Sequence, residues 1–436
     1  MTTKDEKPDF PQPENYETHV NIEGSDNVVA IRGIATSIKI VLQNSRPVVT
    51  LLLGLVLIGG AIAFLYWMSL QPSRMTGDFN IAVAEFTQVG DSEPKVASIL
   101  SQQVFRFLDD QAKLITFENV QVAHKNIGWI TSAEDAKALA KKINAQVVIY
   151  GDVTTIGNQV RLTPQFYIAE AFRANVSELN GQQRLAAPIT FPIDSIVSST
   201  PDPLELIQER AVIMTEFTKS LVYLATENLP LSKEAIDKAI LYSERQGPFE
   251  GQEVLYVFAS QIARLQGDKA SARNFVDKAL RINPAYGRGY IAKANVFYDD
   301  GNLYQAIENY KKAKGLPDQP IGAYIIEKAS LGIGNSCWVQ LQYVNQTAKP
   351  DPAAVKDLEQ CALDNYQQLI ELYTQQKNPE ANLKEMTAWA YYGVGNIYKS
   401  RGQLQEAKKM YEQGLKLTTD PELIQRIESN VKEVKS

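Results

Sequence analysis

The 436-residue chain carries 44 lysines and arginines against 50 aspartates and glutamates, a formal net charge of −6, with two histidines and two cysteines. That length suffices for two or three domains, each able to bury its own core. The acidic balance, with basic residues scattered among acids, argues against a nucleic-acid partner; two histidines deny metal and imidazole chemistry their usual parts, and two cysteines make no disulfide framework or Cys-based zinc site.

Residues 1–46 read as a tail. MTTKDEKPDFPQPENYE combines charge and proline with almost nothing to bury, a composition that stays disordered. From His19 two short β-branched runs, Val20–Ile22 and Val28–Ile31, flank Gly24-Ser25-Asp26, a hairpin or β-arch signal. The plainer reading is a juxtamembrane linker with weak β tendency. The sharper one is a segment that stacks with copies of itself, and there it loosely resembles the amyloid-type signalling motifs of bacterial defence and cell-death proteins.

Residues 47–70 hold VVTLLLGLVLIGGAIAFLYWM, Val48 to Met68, with no charge between Arg46 and Arg74. About 20 apolar residues at ~1.5 Å each cover a ~30 Å bilayer core, so the run predicts one transmembrane helix with Tyr66 and Trp67 at headgroup level. Lys39 and Arg46 lie within about 10 residues of its N-terminal end, with Arg32 further off, whereas the other side offers Arg74 and then Lys95, which predicts a cytoplasmic N-terminus and extracytoplasmic C-terminal domains at the plasma (inner) membrane. Gly59 and Ala63 form a small-xxx-small pair through which a homo-oligomer could form.

Residues 78–195 alternate strand and helix patterns: strand Phe79–Phe86, helix Pro94–Asp110, strand KLITFEN, a helix opened by Ser132 with Glu134 and Asp135 in its first turn, and strand QVVIYGDV. Gly157-Asn158 then separates GDVTTI from QVRLTPQFYIAE as a hairpin turn, and an edge strand is expected around Ala187–Phe191. Strands alternating with helices imply a helix-covered sheet. The order IAVAEF, helix, strand, helix ending at Ala145, VVIYGDV, VRLTPQFYIAE resembles the N-terminal α/β domain of the TolB family, related to envelope lipoproteins of the CsgG type. The resemblance implies binding and assembly in a bacterial envelope and supplies no catalytic residue.

Residues 204–435 repeat. Gly267 and Gly301 are 34 apart, as are Ala272 and Ala306, Ala279 and Ala313, and Tyr256 and Tyr290; Gly402, Ala407 and Tyr411 keep the spacing of Gly301, Ala306 and Tyr310. The alanines let paired helices approach and the glycines let the chain turn. DKASARNFVDKALRINP and QLQEAKKMYEQGLKL resemble the second helix of the tetratricopeptide repeat family. About five hairpins are expected, including Leu204 to Glu244 with Ser232 as an N-cap, then a capping helix from Pro421.

The overall expectation is an α+β multidomain chain: a transmembrane helix, a small α/β domain and an all-α repeat solenoid. In the family's register the groove falls on Val257, Gln261 and Arg264, then Ile291, Asn295 and Tyr298, then Asn335, then Tyr392, Asn396 and Lys399. The resemblance implies that the asparagines contact an extended peptide backbone, although amides merely tolerated in a wet groove would look the same. Mutating Asn295, Asn335 and Asn396 together to alanine should weaken the partner and leave stability nearly unchanged. No paired lysines recur to read a free C-terminus. Gly332-Ile-Gly334 and Gly393-Val-Gly395 read as close helix packing. Cys337 and Cys361, on neighbouring helices, read as a disulfide or as small core residues.

These features predict a membrane-anchored scaffold with protein or peptide partners, no nucleic acid, no catalytic residues, no metal and no cofactor. The alternative is a transmembrane signalling or defence component whose N-terminal segment recruits cytoplasmic partners.

Overall fold

A computed structural model describes Gly60 and residues 71–435, except 91–94, 116–118, 170–178, 184–187, 194–200, 246, 248, 250 and 318–319. The tail and, Gly60 aside, the run Val48–Met68 lie outside the described residues, among which no helix is long and apolar enough to cross a membrane. Pro72–Ser436 form a unit of their own.

The first strand, β1 (Phe79–Val83), is buried at all five positions because both its faces are covered. Phe79, Ile81 and Val83 pack with Val96, Leu100 and Val104, while Ala82 packs with Leu139 and Ile143 from the opposite side. A short β2 (Thr87–Val89) follows, then α1 (Lys95–Ala112), β3 (Val120–Ala123), α2 (Ala133–Ile143), β4 (Val147–Ile156), β5 (Gln159–Ile168), β6 (Gly181–Gln183) and β7 (Ile189–Pro192). The sheet order is β3-β1-β4-β5-β6, with β2 on β4 and β7 on β5. β3, β1, β4 and β2 pair in parallel, while β5 pairs antiparallel with β4, β6 and β7.

The cap at Ser132 and the turn at Gly157-Asn158 formed as expected. Ser132 accepts the Asp135 N–H to cap α2, and Ile156 pairs with Gln159 across Gly157-Asn158. The strand expected at KLITFEN is displaced: α1 continues to Ala112, a turn leaves Leu114 exposed, and pairing with β1 begins only at Val120. β6 was not anticipated, because three residues GQQ carry no strand propensity and are held by pairing with β5.

The remainder is helical: α3 (Pro201–Ala225) with α4 (Leu229–Arg245), α5 (Gln252–Leu265) with α6 (Lys269–Ile282), α7 (Gly287–Asp299) with α8 (Leu303–Gly315), α9 (Ile325–Asn345) with α10 (Pro352–Thr374), α11 (Ala381–Ser400) with α12 (Leu404–Leu415), and α13 (Pro421–Lys435). Gly267, Gly301 and Gly402 take φ of 77°, 73° and 74° between paired helices, a left-handed turn that suits glycine. Ala272, Ala306 and Ala407 are fully buried at the crossings. Ser232 is not a cap. α4 starts at Leu229, Asn228 accepts the Leu231 N–H at 3.3 Å, and the buried Ser232 hydroxyl donates to Ser220 O at 2.8 Å across the hairpin.

The α/β part and the array share packing. One apolar core runs from β1, β4 and β5 through Phe217 and Leu221 to Phe258 and Val276. The loop between α8 and α9 lies on β6, where Gln182 N donates to Ile321 O at 3.0 Å. The buried Arg288 guanidinium donates to Asn180 O at 2.7 Å, and the Lys137 ammonium and Tyr324 hydroxyl meet on Glu380. Gly181, at φ 88°, lets that loop approach, since a Cβ there would overlap the Ile321 carbonyl. Gly181→Ala is therefore expected to cost at least about 2 kcal/mol, read as a lower denaturation midpoint.

Candidate partner-binding groove

From the third hairpin on, the first helix carries an asparagine and the second a tyrosine that reaches back to it. The Tyr310 hydroxyl donates to Asn295 Oδ1 at 2.5 Å, Tyr366 to Asn335 Oδ1 at 2.8 Å, and Tyr411 to Asn396 Oδ1 at 2.7 Å. Asparagine and tyrosine are 15 residues apart in the first and last hairpins and 31 in the middle one, where α9 and α10 grow to 21 and 23 residues. Burial pushes the Tyr366 and Tyr411 hydroxyls up from their usual range, which keeps them as donors.

Each ring also packs on a glycine. Tyr310 lies against Gly332, Tyr366 between Gly334 and Gly393, and Tyr411 against Gly395, and a methyl group at any of these positions would overlap the ring. The two Gly-x-Gly pairs therefore serve helix packing.

This scaffold corrects the expectation that the asparagines are free of the fold. An Asn335→Ala chain leaves a buried tyrosine hydroxyl without an acceptor, at a cost of about 1–3 kcal/mol. Asn335→Asp keeps an oxygen for Tyr366 while exchanging the amide donor for a carboxylate. Thermal denaturation should show a clear loss for alanine and a smaller one for aspartate.

First helices α5, α7, α9 and α11 surround a cavity of about 360 Å³. Arg264, Ile291, Asn295, Tyr298 and Asn335, five of the ten residues expected in the groove, line it. Lys328 and Leu331 line it from α9, and Asn382, Glu385, Met386 and Trp389 from α11. The wall is apolar where Ile291, Leu331, Met386 and Trp389 meet. Its acids are already engaged: Asp299 accepts from Arg264 Nε at 2.7 Å, and Glu385 accepts from the Thr418 hydroxyl and from Thr419 N at 3.2 Å. Donors remain, because Asn382 Nδ2 is buried without a partner and none is found for Asn335 Nδ2 among the described residues. The arrangement suits acceptors, such as backbone carbonyls, beside an apolar side chain.

The other five expected residues lie elsewhere. Val257 and Gln261 are fully buried within α5, where Gln261 Oε1 accepts from Arg264 Nη1 at 2.6 Å. Tyr392, Asn396 and Lys399 are covered by α13: Asn430 Nδ2 donates to Asn396 Oδ1 at 3.1 Å and contacts the Tyr392 hydroxyl at 3.4 Å, and Lys399 Nζ donates to Asn430 Oδ1 at 2.9 Å. The terminal helix must bury Leu423 and Ile427 against the last hairpin, and in doing so it fills that end of the groove. The α11 contribution was legible, since Asn382, Glu385, Met386 and Trp389 recur at three- and four-residue spacing on one helix face. The family's register begins ten residues further on, at Tyr392, nearly three turns past Asn382.

The tetratricopeptide repeat family model matches residues 254–286 and 390–421, the second hairpin and the end of α11 with α12. The chain thus carries tetratricopeptide repeats, which suggests a role in protein–protein interaction. Among solved structures, a tetratricopeptide repeat protein from Parabacteroides merdae ATCC 43184 is similar at 14% identity, over 52% of this chain and 99% of that one, with a TM-score of 0.23. A superposition that weak carries no structural argument. No curated protein matches the chain.

Proposed function

We propose that the chain is a membrane-tethered scaffold that holds an extended segment of a partner protein in the cavity among α5, α7, α9 and α11. The observation that carries the reading is the convergence of Arg264, Asn295, Asn335 and Asn382 with Leu331, Met386 and Trp389 on one cavity. Such a site recognises main-chain carbonyls and an apolar side chain, with affinity spread over several residues.

The tether is the hydrophobic run Val48–Met68, and the folded part faces outward. The disulfide between Cys337 and Cys361 supports that orientation, because such bonds persist in oxidising compartments. A TolB-like role for the α/β part, assembly in a bacterial envelope, belongs to the same reading and rests on the hydrophobic blocks alone. The chain acts by binding and not as an enzyme.

The test is affinity co-purification from membranes with Asn382→Leu and Trp389→Ala chains. Asn382→Leu removes an unpartnered amide and should leave thermal stability unchanged. The expected result is loss of the same partner from both variants, at least tenfold by quantitative mass spectrometry. Retention of every partner of the unaltered chain by both variants would exclude the cavity as the site.

A further inference from the structure

Helix α2 has 11 residues, ~16 Å at 1.5 Å each, whereas β4 has ten, ~33 Å at strand rise. One face of the sheet is consequently covered for only half its length. Val148 and Tyr150 of β4 lie under α2, but Asp152, Thr154 and Ile156 continue the same alternation beyond it. Their neighbours are fixed by register: Thr87 and Val89 on β2, Thr163, Arg161 and Gln159 on β5, and Thr190 and Pro192 on β7. The opposite face of the same strands is closed, with Val153, Val160 and Leu162 at most 2% exposed, whereas Ile156 is 59% and Val89 45% exposed. Trp129, paired with Glu85 beside this face, is 72% exposed.

Two charges sit in this open patch, and neither has an ion-pair partner among the described residues. Asp152 is half-buried, and burial pushes its carboxyl up from the usual range, with no cation to pull it back. Arg161 is exposed on the adjacent strand. The two lie on one diagonal of a four-residue cell whose other diagonal is Thr154 and Thr163.

We propose that this uncovered half of the sheet docks face to face on the same half of a second copy of the chain. A two-fold axis lying between the sheets along the Thr154–Thr163 diagonal brings each Asp152 opposite the other copy's Arg161. It also sets Thr154 opposite its own equivalent, with the sheets ~10 Å apart. The charge pattern is thus self-complementary, and the contact buries Val89 and Ile156. The inference is independent of what occupies the repeat groove.

The test uses the full chain carrying Thr154→Cys. Since Cys337 and Cys361 are already joined, the introduced thiol is the free one, and a short bismaleimide, which spans two thiols too far apart for a direct disulfide, should link two copies at this position. Adding Asp152→Arg or Arg161→Asp places like charges opposite each other in both contacts and should reduce the cross-linked dimer at least tenfold. Co-expressing the two single charge reversals under different tags restores Arg opposite Asp twice over, so the mixed dimer should cross-link as well as the parent while each homodimer does not. That recovery also shows that both variants fold. Absence of the parent cross-link, cross-linking indifferent to the charge reversals, or failure of the mixed pair to recover would each overturn the proposal; association through the membrane helix alone would give the second result.

Discussion

Tyr366→Ala is expected to lower the unfolding free energy by about 3–5 kcal/mol, the range for deleting a large buried aromatic ring. Tyr366 is 1% exposed and is clasped from two sides by Gly334 of its own hairpin and Gly393 of the next, so its ring forms the packing between successive repeats. No side chain stands ready to fill the space, because both neighbours are glycines on rigid helices. Tyr366→Phe keeps the ring, loses only the bond to Asn335, and should cost about 1 kcal/mol. Chemical denaturation of both variants checks the pair. Equal losses would mean that the hydroxyl, and not the ring, carries the contact. Repeat stability depends on nearest-neighbour interfaces, so the alanine chain should also lose two-state behaviour, with the last two hairpins opening before the rest.

Removing the Cys337–Cys361 disulfide is expected to cost about 3 kcal/mol. The bond closes a 24-residue separation, and loop entropy of that size gives this figure in the chain-entropy treatment. It spans the hairpin whose helices are the longest after α3, with Cα atoms 6.1 Å apart. Cys337 lies two residues after Asn335, and Cys361 five before Tyr366, so the bond also fixes the register in which that hydroxyl meets that amide. Denaturation with and without a reductant measures the loss, and the double Cys337→Ser, Cys361→Ser chain should match the reduced protein. A midpoint unmoved by reductant would show that the bond adds nothing to stability.

The sequence by itself determined the repeats, the hairpin turns and the strand-to-strand turn. Gly267, Gly301 and Gly402 with Ala272, Ala306 and Ala407 report local demands, a left-handed turn and a close crossing, that any fold must satisfy at those positions. The register of the family it resembles put Arg264, Ile291, Asn295, Tyr298 and Asn335 where the cavity lies, and the sequence's pairing of Cys337 with Cys361 was one of two readings that the fold then resolved as a disulfide. Three things only the tertiary structure decided. The capping helix from Pro421 was legible, but that α13 closes over Tyr392, Asn396 and Lys399 follows from where Leu423 and Ile427 find apolar partners, which the repeat period does not say. The asparagines became acceptors for tyrosines 15 or 31 residues away, a partnership set by how long the second helix lies from the first. The sheet was left half open because α2 is shorter than the strand it covers, and a length mismatch between elements distant in sequence has no local signal for a reader of residues to find.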